Sequence, residues 1–582
     1  MIENNLSTFW RPIRLPVAAA ALLSVAFCAR AEIRLPAMFS DHMVLQRDIQ
    51  IPVWGWADQG EKVTVQFGSQ TVSTTANRDG KWKIYLQKRQ ANAVSQTLTV
   101  SGRNNIRFTD VLVGDVWVCS GQSNMGLYLG ECDNASTEVP NAHDPLLRLL
   151  KVEERTCITP EADVKLWNGK KWQVCAPETA NQFSGVAYFF GRELRLHIGI
   201  PIGLISSTYG GTRAQLWISR DAIERNLGRD PEFKTWLAER QTVLSEYSKK
   251  VKEYLPKKEK YDAEMLRYWN EVQTPEYLAR VEAWEQDSRI AREQGKVRPP
   301  RPEPSMPKPE APEPPDKGPY NDFMVGNVYN AMIAPLTPYA IKGVIWYQGE
   351  SNCGKSKQYR TLFPILIQDW REEWKEGDFP FLFVQLPNIN KPATKPVQDE
   401  DPWPGIREAQ SMALRLPNTG MATIIDVGDP DDVHGKDKLD VGNRLSLVAR
   451  RRVYGENIVC CGPTFDSFTV EGSKVSIAFK NVGGGLMIGA PPWSPLGGIP
   501  SPADSLKGFA VASSDRRWVW AHAQIDGDRV VVSSDQVPHP VAVRYGWADN
   551  PPCNLYNKER LPATPFRTDN WEPALPTRTA LN

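Results

Sequence analysis

The chain has almost no net charge, few histidines and no apolar run long enough to cross a bilayer. The formal charge is +1 over 582 residues. Nucleic-acid binding needs a concentrated basic face, so this balance argues against nucleic acid as a partner. There is no GxxxxGK[ST] phosphate loop, no GxGxxG dinucleotide fingerprint and no Cys/His cluster at zinc-ligand spacing. No metal or cofactor is therefore expected. The longest apolar run, Val17–Ala29 (VAAAALLSVAFCA), is too short for a membrane span. Arg11 and Arg14 precede it and Ala29-Arg30-Ala31 follows it, so residues 1–31 read as an export signal cut before Glu32. The expected location is periplasmic or extracellular. Eight cysteines remain after such a cut: Cys119, Cys132, Cys157, Cys175, Cys353, Cys460, Cys461 and Cys553. An exported chain can pair some of them, but spacing does not give connectivity.

The scarcity of histidine narrows the search for chemistry. Of six histidines, only His434 lies in a polar, carboxylate-rich loop, Gly428–Leu445 (GDPDDVHGKDKLDVGNRL), directly after an apolar segment, Met421–Val427. Asp431 stands three residues before it, a spacing that lets a carboxylate fold back onto the imidazole Nδ1 and set its tautomer. A nucleophile to match is offered by Val116–Met125 (VWVCSGQSNM). There an apolar strand breaks at Gly121 and presents Ser123 on a turn. A serine hydroxyl attacks a carbonyl only if a base takes its proton and fixed donors receive the oxyanion.

Two further turns supply donors. Pro201–Thr212 (PIGLISSTYGGT) runs from an apolar strand into Gly210 and Gly211, where backbone N–H groups can approach a ligand closely. Ile341–Asn352 (IKGVIWYQGESN) ends a strand with Gln348, Glu350 and Asn352. Each turn alone is weak evidence, since Gly-Gly and Gln-Gly turns are common. Four polar turns, each after an apolar strand, form a pattern, because ligands of parallel α/β sheets sit at the carboxyl ends of strands.

The motifs CSGQSNM, GGT, GVIWYQGESN and DxxH followed by GxRL resemble those of the sialate O-acetylesterase family, within the SGNH hydrolase superfamily. The likeness extends to FSDHMVLQR (Phe39–Arg47), YNAMIAPL (Tyr329–Leu336), AVRYGWADNP and LPATPFRTD. It implies that Ser123 is the nucleophile and His434 the base. It also implies that the Ser123 N–H and the N–H of Gly211 or Gly210 hold the oxyanion. The superfamily's GxND asparagine has no clean counterpart in GESN, so the third donor is Gln348, with Asn352 behind it. The acid is Asp431 by spacing, with Glu350 as the alternative. The implied activity is release of acetate from an O-acetylated carbohydrate: sialic acid, or acetylated polysaccharide such as xylan. A non-catalytic carbohydrate-binding protein is the alternative that would keep the fold without the chemistry.

The length predicts two to four domains. Residues 32–109 read as short strands split by turns, a small antiparallel β-sandwich. Strands and helices alternate over 110–455, as in a doubly wound parallel sheet of SGNH type. Tyr359, Leu362, Phe363, Leu366, Ile367 and Trp370 form one helical face, with Pro364 expected to kink it or mark its first turn. An insertion at 220–320 interrupts the alternation. Phe233, Trp236, Leu237, Leu244, Tyr247, Val251, Tyr254 and Leu255 fit one helical face, and Met265, Trp269 and Val272 suggest a second helix. Val297–Pro319 is a proline-rich tract, expected to be extended. Residues 456–582 form a second β-rich unit, with the stretch after Asp549 wrapping back over the core. The fold class expected is thus α/β with flanking β-sandwich domains and a helical insertion.

Overall fold

A computed structural model describes residues 32–294, 296–312, 325–398, 402–489 and 505–571. The expected export signal lies outside the described residues. So do the end of the proline-rich tract and the side chains of Trp236, Leu237, Leu244 and Tyr247.

Seven strands open the chain: β1 (Val44–Gln46), β2 (Ile51–Trp56), β3 (Lys62–Phe67), β4 (Gln70–Thr75), β5 (Lys81–Leu86), β6 (Asn92–Ser101) and β7 (Asn105–Gly121). β3 and β5 alternate buried and exposed residues, the signature of a sheet with one wet face. The last strand departs from the expected division at 109/110. β7 is a single strand of 17 residues. Its first half pairs antiparallel with β6, and its second half runs on as the centre of the next sheet. The amino-terminal strands and the α/β sheet therefore share one strand and one continuous apolar core. The reason is visible in β7 itself: from Val111 to Gly121 every residue is buried, so no polar joint interrupts it.

Six further strands complete the large sheet: β8 (Asp144–Lys151), β9 (Gln173–Cys175), β10 (Ile202–Thr208), β11 (Gly343–Tyr347), β12 (Phe381–Gln385) and β13 (Thr419–Thr423). Their order is β13-β12-β11-β7-β10-β8-β9, parallel except for β9. Strands later in the chain thus lie on opposite sides of β7. This is the switch point at which open α/β sheets form their crevice. Helices cover both faces. Trp117 on β7 meets Phe190 of the Gly185–Ile198 helix edge-on, at 5.1 Å between rings. Trp346 on β11 is clasped between Trp217 and Trp370 on the other face.

Trp370 belongs to the Ser356–Trp374 helix, which buries Tyr359, Leu362, Phe363, Leu366 and Ile367 and continues through Pro364 without a break. In the insertion, the two expected helices are one, Pro231–Val272, running through Pro256. A shorter helix, Pro275–Glu293, follows. The carboxyl-terminal strands build a second apolar core around Val475, Val511, Val532 and Val543. The tail returns to the first core: Arg407, buried, donates to the carbonyls of Ala548 and Asp549.

Candidate active site

β7, β10 and β11 end level with one another, since Gly121 pairs with both Thr208 and Tyr347. The turns that follow therefore converge. Gly121 adopts a φ of +139°, and a Cβ there would lie 2.0 Å from the Tyr347 carbonyl oxygen. Only glycine fits so close a strand crossing. The chain then turns at once into the short helix Ser123–Gly126, pinned by Gln122 N–H donating to Tyr347 O at 3.1 Å. This leaves the half-buried Ser123 at the mouth of the crevice.

His434 reaches the same place from the far side of the sheet, on the loop after β13. The loop begins where Gly428 donates its N–H to Asn388 Oδ1 at 2.8 Å, with a Cβ at Gly428 excluded by the Asn388 carbonyl. Behind it Arg444 forks onto Asp426 at 2.6 and 2.9 Å, both groups buried. Such a bidentate pair restricts both orientation and distance. The imidazole Nε2 stands 2.8 Å from Ser123 Oγ, although 311 residues separate them in the chain.

The carboxylate at the other ring nitrogen is not the one expected. Asp431 is exposed, and its backbone N–H bonds Asp429 Oδ1. Asp432 instead accepts the His434 backbone N–H at 2.8 Å and lies 3.5 Å from Nδ1. The facing His434 imidazole and the His434 backbone N–H hold its pKa down at about 2, so this carboxylate stays ionised. The three-residue spacing fails because the loop makes an Asx turn at Asp429, which directs Asp431 outward.

Glu350 is present but one residue removed. Its Oε1 accepts Asn124 Nδ2 at 2.6 Å, while Oε2 is buried without a hydrogen bond. Burial raises its pKa, partly opposed by Asn124 and the Lys438 charge. Asn124 also donates to Val433 O at 2.9 Å and accepts from Lys438 Nζ at 2.7 Å. It thereby ties the residue after the serine to the residue before the histidine. Lys438, buried beneath the site, has its pKa pushed down to about 8 by loss of solvation. Neither Asn124 nor Lys438 was singled out by the sequence reading. Lys438 sits four residues past His434, but nothing in the sequence marks a lysine that will be buried.

The donors divide. Gly210 approaches Ser123, since a Cβ built on it would lie 3.6 Å from Ser123 Cβ, whereas one on Gly211 would meet nothing within 4 Å. Gln348 is corrected as an oxyanion donor. Its two N–H groups are spent on Thr212 O at 3.2 Å and Asn352 Oδ1 at 2.8 Å, and its Oε1 accepts the Tyr359 hydroxyl. Asn352 in turn accepts from Ala214 N–H and donates to Gln215. The two amides stitch the β11 turn to the segment after Gly211 and are fully buried. Among the described residues all eight cysteines are free thiols. Cys119 and Cys353 beside the site are held protonated by burial. No group of three or more metal-ligating side chains occurs among the described residues.

Comparison with known proteins follows the same lines. Residues 314–447 match the family model described as carbohydrate esterase, sialic acid-specific acetylesterase. The sialate O-acetylesterase of Mus musculus is 28% identical over 95% of this chain and 97% of its own length. That of Homo sapiens is 27% identical over 92% of each. A crystal structure of a carbohydrate acetylesterase from Xanthomonas citri superposes with a TM-score of 0.70 at 33% identity, covering 93% of this chain and 100% of that one. On this likeness over nearly its whole length, the chain belongs to the sialate O-acetylesterase family.

Proposed function

We propose that this protein removes acetyl groups from the hydroxyls of sugars through an acyl-enzyme on Ser123. The observation that carries the reading is the 2.8 Å contact of Ser123 Oγ with His434 Nε2 at the switch point of the sheet. His434 takes the hydroxyl proton as Oγ attacks the acetyl carbonyl. The oxyanion falls to the N–H of Ser123, which opens a short helix whose leading N–H groups have no intrahelical partner, and to that of Gly210, which packs beside Ser123. Asp432 faces the imidazole from Nδ1 and stabilises the imidazolium formed during attack. Its 3.5 Å separation is longer than a hydrogen bond, and such contacts tighten in reactive complexes. Collapse of the tetrahedral adduct transfers the proton from His434 to the leaving sugar oxygen. A water molecule, deprotonated by the same imidazole, then releases acetate and restores the serine.

The buried Asn124–Glu350–Lys438 group supports this machinery from below without touching the imidazole. The SGNH-type arrangement of the sheet and its β-rich flanks belong to the same reading, as does export of the chain with Glu32 at its mature end. The experiment is acetate release by wild type and Ser123→Ala from O-acetylated sialic acid, acetylated xylan and acetylated pectin. Wild-type activity on a sugar acetate, lost in the variant, is expected. Unchanged release by Ser123→Ala would overturn the serine mechanism. Amino-terminal sequencing of the secreted protein tests the cut before Glu32.

A further inference from the structure

The helical insertion leaves the α/β domain between the Gly210 turn and the β11 turn. It docks on the loop that carries His434. Arg298, at the start of the proline-rich tract, places Nη1 3.2 Å from Asp429 Oδ2. The same guanidinium lies over the Trp284 ring, 4.4 Å from its centroid. Lys436, two residues past His434, approaches that ring at 5.7 Å. Trp284 is buried, and its Nε1 donates to Pro299 O at 2.7 Å, fixing the indole plane. Asp429 and Lys436 bracket the histidine, five residues before it and two after it, and both contacts converge on one tryptophan of the insertion.

The platform is itself braced. Tyr277 and Arg280, on the helix that carries Trp284, donate to the carbonyls of Pro302 and Glu303 in the proline-rich tract. Further along, the Met306 N–H donates to Glu271 on the preceding helix at 3.1 Å. An extended segment held at successive points along a helical hairpin is stiff, and proline lowers its freedom further. The His434 side chain, by contrast, is 40% exposed. Val433 O beside it accepts from Asn124, and the His434 backbone N–H donates to Asp432, so both bonds hold backbone rather than the ring. The loop therefore takes its rigidity on the solvent side from outside the α/β domain.

We infer that Arg298 and Trp284 are positioning residues for catalysis: through Asp429 and Lys436 they hold the 428–438 loop so that His434 Nε2 stays aligned with Ser123 Oγ. The inference rests on the serine–histidine reading above. An ion pair this exposed, with side chains 42% and 21% accessible, contributes little to folding. Its effect is on alignment, where displacements of about 1 Å can cost roughly 10²-fold in rate.

The test uses 4-nitrophenyl acetate, a substrate too small to need a distal sugar-binding surface. Arg298→Gln is expected to lower kcat roughly tenfold while KM and the thermal midpoint stay near wild type. Arg298→Lys keeps the cation over Trp284 and should restore most of kcat. Asp429→Asn removes the pair from the other side and should reproduce the loss, with Arg298→Gln/Asp429→Asn no worse than either alone. Unchanged kcat in Arg298→Gln overturns the inference. So does a rise in KM at constant kcat, which would make the insertion a substrate-contacting wall instead. Failure of the underlying reading shows separately, as activity retained by Ser123→Ala.

Discussion

The serine turn and the histidine loop meet across one hydrogen bond, but they are built by opposite means. Ser123 is placed by the sheet. The strand before it is buried from Val111 to Gly121, Gly121 crosses Tyr347 at van der Waals limits, and Asn124 directly after Ser123 is buried. His434 is placed by a half-exposed loop whose contacts are mostly polar and charged: Asp432, Arg298–Asp429 and the Arg444–Asp426 fork behind. Packed backbone tolerates almost no change in shape, whereas a tethered loop can shift by fractions of an ångström as tethers are cut. Substitutions on the serine side should therefore act as switches, and those on the histidine side as graded adjustments.

Removing the Ser123 hydroxyl is the largest expected effect. Ser123→Ala should lower kcat by at least roughly 10⁴-fold at unchanged thermal midpoint, because members of such a set act as a unit. A second change, His434→Ala in that background, should add almost nothing. An additive loss in the double variant would show that the two residues do not share one step.

The histidine side should be graded. Asp432→Asn is expected to reduce kcat on an aryl acetate by roughly 10²-fold, since a carboxylate at Nδ1 stabilises the imidazolium. Glu350→Gln, acting through Asn124, should cost about tenfold, and Asp431→Asn less than about twofold, as exposed side chains usually do. Turnover of the three folded variants on one substrate decides the order. A crippled Asp431→Asn beside an active Asp432→Asn would reverse the assignment made from the loop geometry.

Gln348→Ala sharpens the contrast from the serine side. It takes one hydrogen-bond partner each from Asn352 Oδ1, Thr212 O and the Tyr359 hydroxyl in a buried site. The expected result is a loss of about 2–4 kcal/mol in stability, with kcat of the folded protein within about tenfold of wild type. Denaturant unfolding beside turnover checks it; a rate loss of 10²–10³ at full stability would mark an oxyanion donor instead.

The smallest effect is in the pH dependence of stability. Asp432 titrates near 2 in the folded protein against an ordinary 3.8. Its contribution is thus fully present above 3.8 and lost as pH falls through about 2. The midpoint difference between wild type and Asp432→Asn should narrow across that window. A difference that stays constant there would mean that the carboxylate is not held by His434.

Much of the site was legible because strand ends announce themselves. An apolar run broken by glycine marks Ser123, and scarcity singles out His434 among six histidines. The helical face of Tyr359–Trp370 was legible for the same reason: burial imposes a period on the sequence. The boundary at 109/110 was not, because a strand buried along half its length reads the same whether it closes one sheet or opens the next. The insertion's helices read as two because the apolar residues thin out around Pro256, while the backbone continues unbroken.

What the sequence determined by itself was the inventory: a serine turn, a histidine loop, two further polar turns and the order in which strands deliver them. Tertiary structure decided which atoms are free to act. Asp432 rather than Asp431 faces the imidazole, because residue spacing sets distance along the chain and not the direction of a side chain in a turn. Gln348 braces the fold instead of receiving charge, because its hydrogen-bonding capacity is consumed by Thr212, Asn352 and Tyr359. A donor's availability depends on what packs around it, and those neighbours are assembled only when the chain folds.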